Sequence, residues 1–311
     1  MALPSLIVIG AGKSGTTSLH KYLDSHPEIF MCRPKEPRFF GYAGTEPGFA
    51  GPGDDRLVCL TDQGEYERLF DDAAPGQVLG DASTWYLTSP NAPQNIRRLT
   101  PDATMVAVLR NPVERCFSHW MHLMREGVEQ VDDFVAACLK EPERIAANWS
   151  PHWHYVRQSR YHEGLSRYLE VFPRGQIRIF LYEDLVDDPI GVAREIYRMV
   201  GVDEAFEPDT TERLNVGGVP RSRILQRYLE NSAWSSNDPL RWAKRLAPKS
   251  VKKSLKRAVT QANLSQDVEL SLDDRRRIGD LLADDLDRLE DLIGRDLSAW
   301  RSVDDVVATR A

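Results

Sequence analysis

The run Leu6-Ile7-Val8-Ile9-Gly10-Ala11-Gly12-Lys13-Ser14-Gly15-Thr16-Thr17-Ser18-Leu19 constrains the fold of this chain more than any other segment. Four apolar residues, three of them β-branched, read as a buried strand. A glycine-rich turn with a single lysine follows, and then a hydroxyl-rich start to a helix. This order gathers backbone N–H groups, a helix N-terminus and one cation around a point where a phosphate is held. A phosphorylated nucleotide is the expected ligand, and the place of the lysine decides which one.

Two familiar templates fit in part. Gly10, Gly12 and Gly15 satisfy G-x-G-x-x-G, but that fingerprint needs an acidic residue at the end of a second strand to hold a ribose. Arg33-Pro34-Lys35 follows the candidate strand here, and Glu36 lies past it. The triphosphate loop G-x-x-x-x-G-K-[ST] places lysine after the last glycine. This chain has Thr16 there, and Lys13 comes three residues earlier.

The displaced lysine, in Lys13-Ser14-Gly15-Thr16-Thr17, resembles the 5′-phosphosulfate loop of sulfotransferases that use 3′-phosphoadenosine 5′-phosphosulfate (PAPS). The resemblance implies that the amides of Ser14, Gly15, Thr16, Thr17 and Ser18, with the Thr16 and Thr17 hydroxyls, wrap the 5′-phosphate. Lys13 would reach the oxygen that bridges phosphorus and sulfur. That oxygen gains negative charge as the S–O bond breaks, so a fixed cation favours the transition state. No metal is required on this reading.

A second segment points the same way. The apolar strand Thr104–Leu109 runs into Arg110-Asn111-Pro112, with Ser118 eight residues past the arginine. This resembles the family's 3′-phosphate motif, in which the arginine fork and the serine converge on one phosphate. Read alone, the two residues are equally an ion-pair arginine and an ordinary helix serine. In Arg33-Pro34-Lys35-Glu36-Pro37-Arg38-Phe39-Phe40, Glu36 matches the catalytic base of the glucosaminyl (heparan sulfate) sulfotransferases. A carboxylate there takes the proton of an attacking hydroxyl; the alternative is an exposed turn. His119 and His122 are competing bases, ranked lower and expected to pack or bond locally. Arg213–Ser222 resembles the late loop that closes over PAPS, with Arg221, or less well Arg223, as a second cation on the 3′-phosphate; a plain linker is the alternative.

One departure stands out. The glucosaminyl enzymes carry an acceptor-facing lysine after the strand Val78–Gly80, and this chain has Ala82. A heparan-like acceptor is therefore not expected.

Composition bounds the rest. A chain of 311 residues buries a substantial core, and its net charge of −7 supplies no global field for nucleic acid. Cys32, Cys59, Cys116 and Cys138 lack metal spacing and read as reduced thiols. His152-Trp153-His154 lacks a third metal ligand nearby. The first strand begins almost at the N-terminus, without a signal peptide, and no run is apolar enough to span a membrane. A cytoplasmic enzyme is expected.

Strands and helices alternate as a parallel α/β sheet requires. Strands are expected at Ser5–Ile9, Ile29–Cys32, Val78–Gly80, Thr104–Leu109 and Ile177–Tyr182. Helices are expected at Thr16–Ser25, Tyr66–Phe70, Ala92–Leu99, Val113–Glu126, Tyr161–Phe172 and Ile190–Val200. Residues 1–230 form the expected α/β core and 231–311 a helical extension packed on it. In that extension Ser271 caps a helix whose apolar stripe runs from Ile278 to Ile293, and Gly294 ends it. The basic residues from Lys244 to Arg257 read as a solvated face or as a surface for an anionic acceptor or carrier protein.

The function implied is sulfuryl transfer from PAPS to a hydroxyl or amine of a small-molecule, lipid or carbohydrate acceptor. Lys13 and Glu36 would be catalytic. A magnesium-dependent P-loop kinase and a non-catalytic nucleotide-binding module are the alternatives.

Overall fold

The computed structural model describes residues 2–211 and 269–301, with the backbone of two short strands between them. Five strands alternate with helices: β1 (Leu6–Gly10), β2 (Ile29–Met31), β3 (Val78–Ala82), β4 (Thr104–Leu109) and β5 (Ile177–Leu181). They form one sheet in the order β2-β3-β1-β4-β5, every pair parallel. The alternation of side chains along each strand explains why both faces are covered. On one face Ile7, Ile9, Met105, Ala107 and Leu109 meet Tyr161, Leu165 and Tyr168 of α8 (Tyr161–Leu169). On the other, Leu6, Val8, Val106 and Val108 meet Leu19 and Leu23 of α1 (Thr16–Asp24) and Ile196 of α10 (Pro189–Val200). Each fully buried aliphatic side chain contributes roughly 1.5–3 kcal/mol.

The strand expectations hold to within one or two residues; β3 runs on to Ala82. Among the helices, α4 (Ala92–Leu99) has the expected bounds, and α5 is Pro112–Arg125, with proline in its first turn and the Asn111 carboxamide accepting from Val113 and Glu114. The segment Tyr66–Phe70 divides into α3 (Gln63–Glu67) and a 3₁₀ turn, Arg68–Phe70.

Residues 129–160, between the expected helices Val113–Glu126 and Tyr161–Phe172, build a third apolar cluster with α5. The short helix α6 (Phe134–Leu139) packs with Trp153 and Tyr155 against Trp120 and Leu123 of α5, and Arg144 of α7 (Glu141–Ala146) sets its guanidinium near the Trp153 and Tyr155 rings. Buried polar anchors hold this segment. Glu129 accepts from Arg144 at 2.8 Å and from the Tyr155 hydroxyl at 2.7 Å, and Asp54 accepts from Ser150 and from Trp153 Nε1.

The C-terminal helix α11 (Leu272–Ile293) starts at Ser271, whose hydroxyl accepts from the Asp274 amide, and ends at Gly294 with φ 64°. Its Ile278 and Leu282 enter the third cluster, and its Leu286 and Leu289 enter the first. The last described helix, α12 (Ser298–Arg301), adds Trp300, whose carbonyl accepts from Asn111. Helix α11 thus packs against α5, α6 and α8. The expected 230/231 boundary, the basic residues 244–257 and Arg221 and Arg223 lie outside the described residues. Backbone of the strand Val219–Pro220, paired antiparallel with Leu264–Ser265, passes beside α5.

Candidate functional site

The parallel order brings the ends of β1, β3 and β4 side by side, with the loop after β1 at the point where the chain's winding direction reverses. Crevices form at such points. Gly15 begins α1 with φ 82°, and no side chain caps the helix. The first-turn amides, followed by Thr16, Thr17 and Ser18, therefore carry the positive end of the helix without a local acceptor. A side chain at Gly15 would place its Cβ 2.8 Å from Leu185 Cδ2 and 3.3 Å from the Tyr182 ring. Only glycine fits. Ser14 is fully buried beside the Tyr161 hydroxyl, which donates to the Arg110 carbonyl at 3.0 Å. The lysine loop and the end of β4 are thereby joined.

Lys13 adopts φ 71°, the left-handed region. Burial, then the charges of Arg125, Arg115 and Arg110 against the opposing Glu126, pull its pKa from the ordinary 10.5 to about 8. Such a cation gains from any anion brought to it.

Glu36 also lies in the left-handed region, with φ 63°. Its carboxylate accepts from Thr84 Oγ1 at 3.3 Å and pairs with Arg38 at 3.3 Å and Lys35 at 3.7 Å. A Cβ built on Gly12 would lie 3.4 Å from that same Thr84 hydroxyl. One side chain thus separates the lysine loop from Glu36. Lys35 makes a second link, donating to Thr17 Oγ1 at 3.2 Å. Phe39 and Phe40 are buried, as expected; Phe39 stacks on Tyr66 and Phe40 meets Tyr86 edge-on.

Beneath Glu36 lies Asp81, fully buried, which accepts from Tyr66, Tyr86 and Ser83 at 2.7, 2.8 and 2.9 Å. Burial raises its pKa to about 6 against the three hydroxyl donors. Ala82 faces the second core cluster. Positive charge near Glu36 comes instead from Lys35 and from Arg38, whose guanidinium lies 4.2 Å from the centre of the Trp85 ring.

Arg110 leaves β4 and pairs with Glu114 at 2.9 Å; its guanidinium stands 5.0 Å from the Tyr182 ring, the same ring that walls Gly15. Its Nε is buried and has no partner. Ser118 is one turn beyond Glu114 on α5, and His122 one turn beyond Ser118, so the three share a face. Arg110 and Ser118 accordingly lie on one side of the lysine loop and Glu36 on the other.

The histidines do bond locally, as expected: His119 meets Arg115 at 3.3 Å, and His122 meets Arg125 at 3.0 Å and Glu126 at 3.2 Å. They also cluster. His152, weighed in the sequence only as a metal ligand with His154, has its ring centre 5.6 Å from that of His119 and 6.3 Å from that of His122. Burial, then the Lys13 charge, takes His122 down to about 3. Burial, followed by Arg38, takes His152 to about 4. Three neutral imidazoles thus stand around the lysine at neutral pH. Nothing in the linear spacing of His119, His122 and His152 announces this, since it depends on how residues 129–160 fold back. Lys35 and Arg38 were legible only as neighbours of Glu36. Among the described residues, no group of three or more His, Cys, Asp or Glu is placed to hold a metal, and no helix is long and apolar enough to cross a membrane. The four cysteines are free thiols.

Residues 4–208 match the model of the sulfotransferase family. The chain belongs to that family. It is 32% identical to a sulfotransferase of Alicyclobacillus acidocaldarius of known crystal structure, with a TM-score of 0.74, covering 97% of this chain and all of that one. The shared fold is the parallel five-stranded sheet flanked by helices. Among curated proteins it is 26% identical, over 200 residues, to the heparan sulfate glucosamine 3-O-sulfotransferase 3B1 of Mus musculus, covering 64% of this chain and 46% of that protein. It is 23% identical to the membrane-associated sulfotransferase kil1 of Dictyostelium discoideum, covering 77% of this chain and 65% of that one. This sulfotransferase thus spans about half the length of the glucosaminyl relative.

Proposed function

We propose that this enzyme transfers a sulfuryl group from PAPS to a hydroxyl or amine, with Glu36 as general base and Lys13 on the leaving oxygen. The observation that carries the reading is the Thr84 bridge, which holds Glu36 one side chain from the glycine-lysine loop. The acceptor oxygen or nitrogen attacks sulfur in line and forms the new bond. The bond from sulfur to the bridging oxygen breaks, and its electron pair stays on the 5′-phosphate of adenosine 3′,5′-bisphosphate. Glu36 takes the acceptor's proton. Lys13 neutralises the charge that grows on the departing oxygen, in a site where burial strengthens the attraction.

The chain's own residues fit this donor. The uncapped amides of α1, with Thr16, Thr17 and Ser18, suit the 5′-phosphate, and the unpartnered Arg110 Nε on the far side of Tyr182 suits the 3′-phosphate together with Ser118. Arg221, next in the chain after the strand Val219–Pro220, is proposed to join them.

The acceptor is proposed to be a small molecule, lipid or carbohydrate, entering on the side of Trp85 and Arg38. A cytoplasmic setting belongs to the same proposal. Transfer of radiolabelled sulfate from PAPS into a metabolite extract tests the reaction and identifies the acceptor. Calorimetry with adenosine 3′,5′-bisphosphate and with ATP–Mg²⁺ tests the donor. Tight binding of ATP–Mg²⁺ and none of the bisphosphate would replace this reading with a kinase.

A further inference from the structure

The carboxylate of Glu114 is shared. Its Oε2 accepts from Arg110 Nη2 at 2.9 Å, and its Oε1 accepts from Arg275 Nη2 at 3.2 Å. Arg275 lies in the first turn of α11, far along the chain from the two residues it joins, and its side chain is only 11% exposed. Packing sets its position: Ile278 and Leu282 follow on the same helical face and are locked into the third apolar cluster. The last described helix ties down the same place a second time, through the Trp300 carbonyl and Asn111. Burial alone would raise the Glu114 pKa, but Arg110 and Arg275 outweigh it and hold the group below its ordinary value.

An ionised carboxylate against Arg110 is a problem for a site meant to hold a phosphate dianion. An Arg110–Glu114 pair standing alone has no net charge, and its carboxylate repels the ligand. With Arg275 the group becomes net positive, and the buried Arg110 Nε is left as an unused donor edge. We propose that Arg275 is a positioning residue of the donor site, drawing the Glu114 charge away from Arg110 so that Arg110 can hold a 3′-phosphate. On this view the C-terminal helix is part of nucleotide recognition. The inference rests on the PAPS reading above.

Calorimetry with adenosine 3′,5′-bisphosphate and with adenosine 5′-phosphate tests it on the full chain. Wild type binds the bisphosphate more tightly. Arg275→Gln weakens bisphosphate binding about ten-fold, the scale of one partly screened charge, and changes adenosine 5′-phosphate binding less than about two-fold. Arg275→Lys keeps most of the affinity. Adding Glu114→Gln to Arg275→Gln restores it, because the charge that needed compensating is gone. Equal losses for both ligands would make Arg275 a helix-docking residue and overturn the proposal, as would a double variant no better than the single. A wild type with no preference for the bisphosphate removes the 3′-phosphate reading itself, a failure visible before any variant is made.

Discussion

Lys13 should lose its proton within the range of an ordinary activity assay. Its pKa is drawn from 10.5 to about 8 by burial and then by Arg125, Arg115 and Arg110. At about 1.4 kcal/mol per pH unit this is on the order of 3 kcal/mol of unfavourable charging, which a bound anion relieves. The sign follows directly. A lysine with a lowered pKa is a cation below that value and neutral above it, so roughly nine-tenths of the free enzyme is charged at pH 7 and about one-tenth at pH 9. The pH dependence of kcat/KM reports groups of the free enzyme. It should therefore fall about ten-fold per pH unit above pH 8. In kcat the same limb should move to higher pH, because the donor's charge restores the lysine's proton affinity. Lys13→Arg, whose guanidinium does not titrate in this range, should have no such limb. The neighbouring imidazoles titrate far below, near 3 for His122 and 4 for His152, and cannot supply it. Initial rates with saturating acceptor between pH 6 and about 9.5 decide the matter. A limb near pH 8 that survives in Lys13→Arg would refute the assignment, and so would a wild-type profile flat to the end of the range.

Three further outcomes are expected. Glu36→Gln should lower turnover by about 10²–10⁴ while adenosine 3′,5′-bisphosphate binds as before; near-normal turnover would move the base elsewhere, with His122 the first candidate. Gly15→Ala should lower stability by about 1–3 kcal/mol in urea unfolding and weaken nucleotide binding, since its Cβ meets Leu185 at 2.8 Å with φ at 82°; an unchanged midpoint contradicts the close packing. Tyr66→Phe removes one of three hydroxyls from the buried Asp81 carboxylate and should cost about 1.5–3 kcal/mol at pH 7, where that carboxyl is ionised; a loss under half a kcal/mol would mean that water or a neighbour replaces the bond.

The parts of the site that were legible in the sequence are those written in consecutive residues. A buried strand followed by glycines and a lysine, or by arginine and proline, declares both a fold element and the chemistry proposed at its end, so Lys13 and Arg110, and Glu36 by its motif, could be named as candidates by inspection. The same holds for the capped helices, whose Ser271 and Gly294 stand where they were expected. Residues 129–160 were not legible because their order comes from distant partners. Asp54 reaches across nearly a hundred residues to Ser150 and Trp153, and no local periodicity records that. His152 inherits this illegibility: in the sequence it reads as half of a histidine pair without a third metal ligand, and it stands beside the lysine only because the segment folds back. Arg275 was hidden for the same reason, its partner lying on another helix.

The three charged residues of the proposed catalytic centre, Lys13, Glu36 and Arg38, all adopt backbone angles with φ between 59° and 71°. A glycine at any of them would relax the chain by about 1 kcal/mol and would erase a working group. Random drift toward a sturdier protein therefore runs straight through the proposed centre, and a screen that rewards heat resistance alone should enrich inert variants at these positions.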